Sequence, residues 1–397
     1  MPTLRDMIIG PWRAVTVLGV TQIVAWGTIF YSPVLLAPLI AAEHGWSLSF
    51  TMGGFSLGLL VAGLVSPYVG RSIDSRGGHV VMAVGALVSA AGLLGLAVTR
   101  SAPLYLAAWI VLGAGLGASL YDPAFATLGR IFGAAARLPI TLLTLAGGFA
   151  STAGWPTTHF LIGAVGWRDT YVVYAVLMAV VCAPLYAFVL PRDRAAAAPK
   201  PSSTGAKPAA QPLPARGLVF LLVTAAFTAY GFVPSGLSAH LLAIFGRSGI
   251  DAATAVTIGA LFGPAQVAAR LAELAFGRDV HPLTVARTAV LLLVAAFLLL
   301  ALFGISPLQA AAFAIMFGAA NGLITITRGA LPLALFGADG YGRTMGRIGR
   351  FWLAMQSAAP LVMAFVAERL SDTAALALAA GFTVVALGCF AAIRRPA

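Results

Sequence analysis

The sequence predicts an all-α membrane protein of twelve transmembrane helices, arranged as two six-helix pseudo-repeats. Three observations carry that prediction. The composition is too apolar for a soluble core, the apolar residues fall in long charge-free runs, and a set of features recurs at a constant offset.

Of 397 residues, 60% are hydrophobic and 9% are charged, against about 25% charged in a typical soluble domain. Mean hydropathy is +0.96. A soluble chain of this length leaves more surface than its few charges could cover. Val80–Val98 runs nineteen residues without a charge and Ala289–Phe303 fifteen; runs of about 18 apolar residues are long enough to cross a bilayer. The 44 glycines suit close helix packing in lipid.

Hydropathy places spans at 14–42, 48–70, 79–99, 103–129, 138–165, 168–190, 217–245, 251–277, 283–303, 308–335, 342–367 and 373–393. Turn-forming clusters separate them: Glu43–Ser47, Arg76–His79, Arg100–Pro103, Gly166–Asp169 and Gly304–Pro307. Met1–Asp6 leads straight into an apolar span with no small-residue cleavage site, so an uncleaved first helix is expected. Arg192–Arg216 breaks the pattern. It is rich in Ala, Ser and Lys and carries Pro199, Pro201, Pro208, Pro212 and Pro214, the composition of a flexible linker. The expected organisation is an N-terminal bundle at 1–191, a linker at 192–216 and a C-terminal bundle at 217–397.

An even span count puts both termini on one side, and basic residues choose which. With the termini cytoplasmic, eighteen Lys and Arg fall inside, four outside (Arg100, Arg168, Arg247, Arg369), and Arg270 and Arg328 lie within spans. The formal net charge of +12 is therefore spread over one set of loops. It lacks the folded basic face with interleaved aromatics that nucleic-acid binding requires. Cys182 and Cys389 have neither disulfide nor metal-ligand spacing and read as apolar packers. No metal and no cofactor are expected, and a monomer in the lipid bilayer is.

The halves repeat at an offset of 204 positions. Ala25-Trp26-Gly27 meets Ala229-Tyr230-Gly231, Gly45 meets Gly249, Phe132-Gly133 meets Phe336-Gly337, and Pro156 meets Pro360. Six-plus-six parallel repeats are a transporter architecture with its site near the bilayer midplane.

Gly70-Arg-Ser-Ile-Asp74-Ser-Arg76-Gly77 follows the second span. It resembles the cytoplasmic signature loop of the major facilitator superfamily, with its base one place later than the family pattern. Gly166-Trp167-Arg168 resembles that family's turn between spans five and six. The resemblance implies gating roles for Gly70, Asp74, Arg76 and Gly77. Glycines permit close backbone approach, and Asp74 can accept from helix N-terminal amides or a base. Two departures argue against a multidrug antiporter: Trp109 stands where those exporters carry Arg, and Gly154-Trp155-Pro156 replaces their Gly-Pro element. Gly115–Pro123 followed by Phe132-Gly133, with Arg270 in span eight, is nearer in style to the monocarboxylate and oxalate carriers, although their acidic-Gly-Trp element in span one is absent. Thr21–Gly27 also resembles a bacterial group that includes arsenite exporters.

Charged residues inside spans cost roughly 2.5–3.5 kcal/mol each on insertion scales and mark functional candidates. Arg270 and Glu273 lie three apart on one helical face. They make either a local ion pair or a site in which Arg270 holds an anionic solute and Glu273 exchanges a proton. Asp122 and Arg328, near the ends of spans four and ten, are gate or packing candidates. Gln22, Trp26, Tyr31, Tyr230, His159 and His240 are further solute or proton candidates on spans one, five and seven. Pro33, Pro38, Pro123, Pro156, Pro234 and Pro360 are expected to kink their helices.

No nucleotide-binding Gly-x4-Gly-Lys-Ser/Thr loop occurs, and no catalytic constellation is assembled. The expected function is secondary transport of a small solute, an organic anion coupled to protons or exchange, with metalloid or drug efflux as the alternative. A membrane sensor is a third class; it would need a signalling domain that 192–216 is too short to supply.

Overall fold

A computed structural model describes residues 10–192, 213–277 and 279–394. Met1–Asp6 and most of the expected linker, 193–212, lie outside the described residues.

Among the described residues the helices group into twelve spans. The first is Arg13–His44, the second Leu48–Arg76 and the third Gly78–Ala97. The fourth comes in two pieces, Ala102–Ser119 and Tyr121–Phe132. The fifth begins as Arg137–Gly147 and resumes at Ala150. Only Gly166, at φ 82° and ψ 171°, separates the fifth from the sixth, which runs to Val189. The seventh to twelfth are Leu218–Arg247, Ala252–Phe276, Pro282–Phe303, Pro307–Phe336, Tyr341–Arg369 and Asp372–Ala392. Most ends fall within two residues of the hydropathy reading.

The second span departs furthest and corrects it. Gly70–Arg76, expected as a loop, forms the last two turns of that helix. The turn itself is Gly77 alone, at φ 88°, and the third span begins at Gly78. Hydropathy measures how far lipid extends, whereas Arg71, Ser72, Asp74 and Ser75 continue the helix beyond it as a polar extension.

The chain forms two compact units. The first holds spans one to six together with Pro332–Arg350; the second holds the remainder of spans seven to twelve. The repeat is visible in the backbone. Gly45 and Gly249 have φ of 67° and 90°, and Gly133 and Gly337 have φ of 57° and 78°. Each pair ends equivalent helices in a conformation that only glycine adopts at little cost.

Helix ends are closed by side chains. Ser47, Asp251 and Ser371 accept from backbone N–H groups three residues on, satisfying donors that a helix start leaves without partners. Hydrogen bonds from Thr254 hold the Asp251 carboxyl below the usual carboxylate range. Arginines close C-termini. Arg130 donates to the Asp74 carbonyl of span two, and Arg168 to the Ala97 and Thr99 carbonyls after span three, at 2.7 and 2.9 Å. Arg13 donates to Val189 of span six, and Arg287 to Phe390 and Ile393 of span twelve. A guanidinium there satisfies carbonyls with no helical donor and meets the negative end of the helix dipole.

Candidate functional site

Three clusters of polar or aromatic side chains hold the sequence-predicted candidates among the described residues. Two are in the first unit and one in the second.

The first cluster sits where the end of span two crosses the start of span eleven. The crossing is built from backbone. A Cβ on Gly70 would run into the Gly342 carbonyl, one on Gly342 would lie 2.5 Å from the Gly70 carbonyl oxygen, and one on Gly346 would run into the Ser66 carbonyl. With side chains absent from these positions, Asp74 reaches the helix start of span eleven. Its Oδ1 accepts from the Gly342 N–H at 2.8 Å and its Oδ2 from the Arg343 N–H at 2.7 Å. A carboxylate on two N-terminal amides satisfies orphan donors and faces the positive end of the helix dipole. Asp122 is buried in the same crossing; a Cβ on Gly349 would lie 2.7 Å from its Oδ2. Gly77 turns the chain at this point, while Arg76 is exposed.

The second cluster surrounds Trp26. Proline at 123 lacks the N–H that would close the helical bond to the Ser119 carbonyl. Span four opens there, with Leu120 extended at φ −88° and ψ −157°. The side chain of Gln22, fully buried, donates from Nε2 to that Ser119 carbonyl at 2.7 Å and accepts from Trp26 Nε1 at 3.0 Å through Oε1. Trp26 starts a π-helical turn, Trp26–Tyr31. Its ring packs on Phe30, Tyr31 and Tyr121, with centroids 4.5, 5.9 and 4.9 Å apart. Tyr31 meets the exposed Trp155 edge-on at 5.8 Å. His159, one turn beyond Trp155 on span five, is exposed.

The third cluster lies in the second unit and joins spans seven, eight, ten and eleven. Tyr230, fully buried, donates to Asn321 Oδ1 at 3.3 Å. Asn321 Nδ2 donates to Gln266 Oε1 at 3.2 Å, and Arg270 Nη2 donates to the same oxygen at 3.0 Å. Arg270 is 3% exposed and also directs Nε at the Gly322 carbonyl, 3.4 Å away. Gly318 and Gly322 let span ten lie against span eight; a Cβ on either would come within 2.5 Å of the Phe262 or Gln266 carbonyl. Glu273, one turn along from Arg270, is 6% exposed. Trp352 stacks on Tyr230 at 6.2 Å, and the Arg328 guanidinium lies 4.6 Å over the Trp352 ring. Pro360 leaves the Gln356 carbonyl without its helical donor, and Ser235 Oγ donates to it at 2.7 Å. His240 Nε2 lies 3.0 Å from the Pro360 carbonyl.

A family model described as Major Facilitator Superfamily matches residues 17–360. The chain belongs to that superfamily. It is a multi-pass membrane transporter and not an enzyme. The chain is similar in fold to the human organic anion transporter MFSD10 (TETRAN), with a TM-score of 0.73, 17% identity, and coverage of 98% of this chain and 100% of that one. The E. coli fucose:proton symporter FucP gives a TM-score of 0.73 at 14% identity, covering 97% and 98%. At those identities the likeness is one of fold. An uncharacterized 38 kDa protein in the 23S RNA operon of Thermoproteus tenax is 30% identical over 168 residues, 42% of this chain and 44% of that protein. The chain thus spans less than half the length of the curated relative it matches.

Sequence reasoning named Asp74, Gln22, Trp26, Tyr230 and Arg270, but it missed the residues that hold them. Gly342, Gly346 and Gly349 had a signal in their spacing of four and three, which places small residues on one helix face. Gln266 had one in its spacing of four from Arg270. Asn321 and Trp352 had none.

Proposed function

We propose that this transporter moves a small organic anion by alternating access, with Arg270 holding the anionic end of the solute and Glu273 as the neighbouring protonatable group. The observation that carries the reading is a buried guanidinium held in orientation by the Gln266 side chain and the Gly322 carbonyl, at the end of a polar chain that runs to Tyr230. A pre-oriented fork suits a carboxylate, whose two oxygens accept parallel bonds. Asp74 acts on the conformational equilibrium rather than on the solute, through the start of span eleven. The bundles are 1–191 and 217–397, joined by 192–216. The eighteen-to-four distribution of basic residues supports cytoplasmic termini, and the membrane proposed is a bacterial plasma membrane.

The test is a flux screen in proteoliposomes with small mono- and dicarboxylates, a metalloid oxyacid and a cationic dye, each with and without a pH gradient. Carboxylate flux that Arg270→Lys abolishes and Glu273→Gln uncouples from the gradient supports the reading. A folded Arg270→Gln/Glu273→Gln double variant that transports at the wild-type rate overturns it. Flux of the oxyacid or dye alone favours efflux of those solutes instead.

A further inference from the structure

Gln22 was expected to face a solute cavity, yet it is fully buried and both ends of its amide are engaged. Its orientation is dictated by its partners. An indole N–H only donates, so the group facing Trp26 is the amide oxygen. A backbone carbonyl only accepts, so the group facing Ser119 is the amide nitrogen. The Ser119 carbonyl needs an outside donor because residue 123 is proline. Trp26 reaches across the same opening, with its ring 4.9 Å from that of Tyr121. The Gln22–Trp26 pair therefore grips the break in span four on both sides of Leu120. Tyr121 extends the contact: a Cβ on Gly147, at the end of the first piece of span five, would run into its hydroxyl. The next residue after Tyr121 is Asp122, buried in the crossing that Asp74 caps. The π-helical turn of span one, the break in span four and the interruption of span five thus meet at one side chain.

We propose that Gln22 is a positioning residue: its amide replaces the missing N–H of Pro123 and fixes the Trp26 ring to the span-four break, so that a change at Trp26 is transmitted to the Tyr121-Asp122 segment. Only the transport consequence of this assignment rests on the function proposed above. Gln22 ties the aromatic surface to the helix carrying Asp122 through hydrogen bonds at both ends. Its equivalent at the 204 offset is Ala226, so the device belongs to the first half alone.

The experiment uses the full chain in detergent, labelled with 5-fluorotryptophan. The Trp26 resonance is assigned by its loss in Trp26→Phe. Wild type, Gln22→Leu, Pro123→Ala and the double variant are compared by 19F NMR and thermal unfolding. Gln22→Leu should shift or broaden the Trp26 resonance and lower the unfolding midpoint. In the Pro123→Ala background, where a backbone N–H can serve Ser119, the midpoint loss should shrink while the Trp26 shift persists. Should Gln22→Leu alone not fold, Pro123→Ala is expected to recover it; failure to recover overturns the proposal. An unmoved Trp26 resonance, or an equal midpoint loss in both backgrounds, also overturns it. Neither measurement requires a substrate, so a failed carboxylate screen leaves this result standing. Where the screen yields a transported carboxylate, Gln22→Leu should change its kcat several-fold more than its KM; an equal change in both removes the transmission role.

Discussion

The crossing at Asp74 and the network at Arg270 hold spans together by opposite means. At Asp74 the contact is made by backbone: glycines bring two helices together, and one carboxylate caps two amides. At Arg270 the contact is made by side chains: Tyr230, Gln266 and Asn321 bond across three helices. Backbone contacts of this kind tolerate no added atom, because the opposing group is a carbonyl that cannot rotate away. Side-chain networks can relax, because each partner has other rotamers. A contact that must form and release as a unit suits the first design, and a site that adapts to a solute suits the second.

The comparison predicts that single substitutions act more severely at the glycine crossing than in the network. Gly70→Ala should have the largest effect. Its methyl meets the Gly342 carbonyl, and overpacking of a tight contact costs about 1–3 kcal/mol or more. The expected outcome is a folded, monodisperse protein with little or no flux in proteoliposomes. Gly163→Ala is the control: nothing lies within 4 Å of a Cβ there, and flux should match wild type. Wild-type transport by Gly70→Ala would mean that the cycle does not depend on this crossing.

Asp74→Asn comes next. One oxygen and the charge are lost from two charge-assisted hydrogen bonds, each worth about 1.5–3 kcal/mol with the charge present. Turnover should fall roughly tenfold, the equivalent of about 1.4 kcal/mol, with KM little changed. A KM change larger than the kcat change would place Asp74 at the solute instead.

In the network, Asn321→Ala leaves the Tyr230 hydroxyl and Gln266 without the partner that joins them. The cost is about 1–3 kcal/mol, read as a lower unfolding midpoint and a raised KM for any anion that uses Arg270. An effect on midpoint without one on KM would separate the network from the site. Tyr230→Phe should be the mildest. It removes one 3.3 Å hydrogen bond, keeps the stack on Trp352, and should cost about 1 kcal/mol or less. A loss as large as that of Gly70→Ala would reverse the ranking on which the comparison rests.

The sequence by itself determined the membrane class, the twelve spans and the repeat. Each depends on local quantities: the length of an apolar run, the charge between runs, and glycines such as Gly45/Gly249 and Gly133/Gly337 that recur because equivalent helices end alike. Its resemblance to the family's signature loop also singled out Asp74. Tertiary structure alone decided what those residues touch. The last turns of span two became helix because Asp74 has the start of span eleven, 268 residues away, to cap. The Gln22 amide turned to span four because Pro123, on another helix, leaves a carbonyl to be satisfied. Arg270 acquired its orientation from Gln266, which a spacing of four could suggest, and from Gly322, which it could not. The physical reason is common to all three. In a helix interior without water, each polar group must find a partner in the protein, and the partner's place is set by which helices pack together rather than by the residues nearby in the chain.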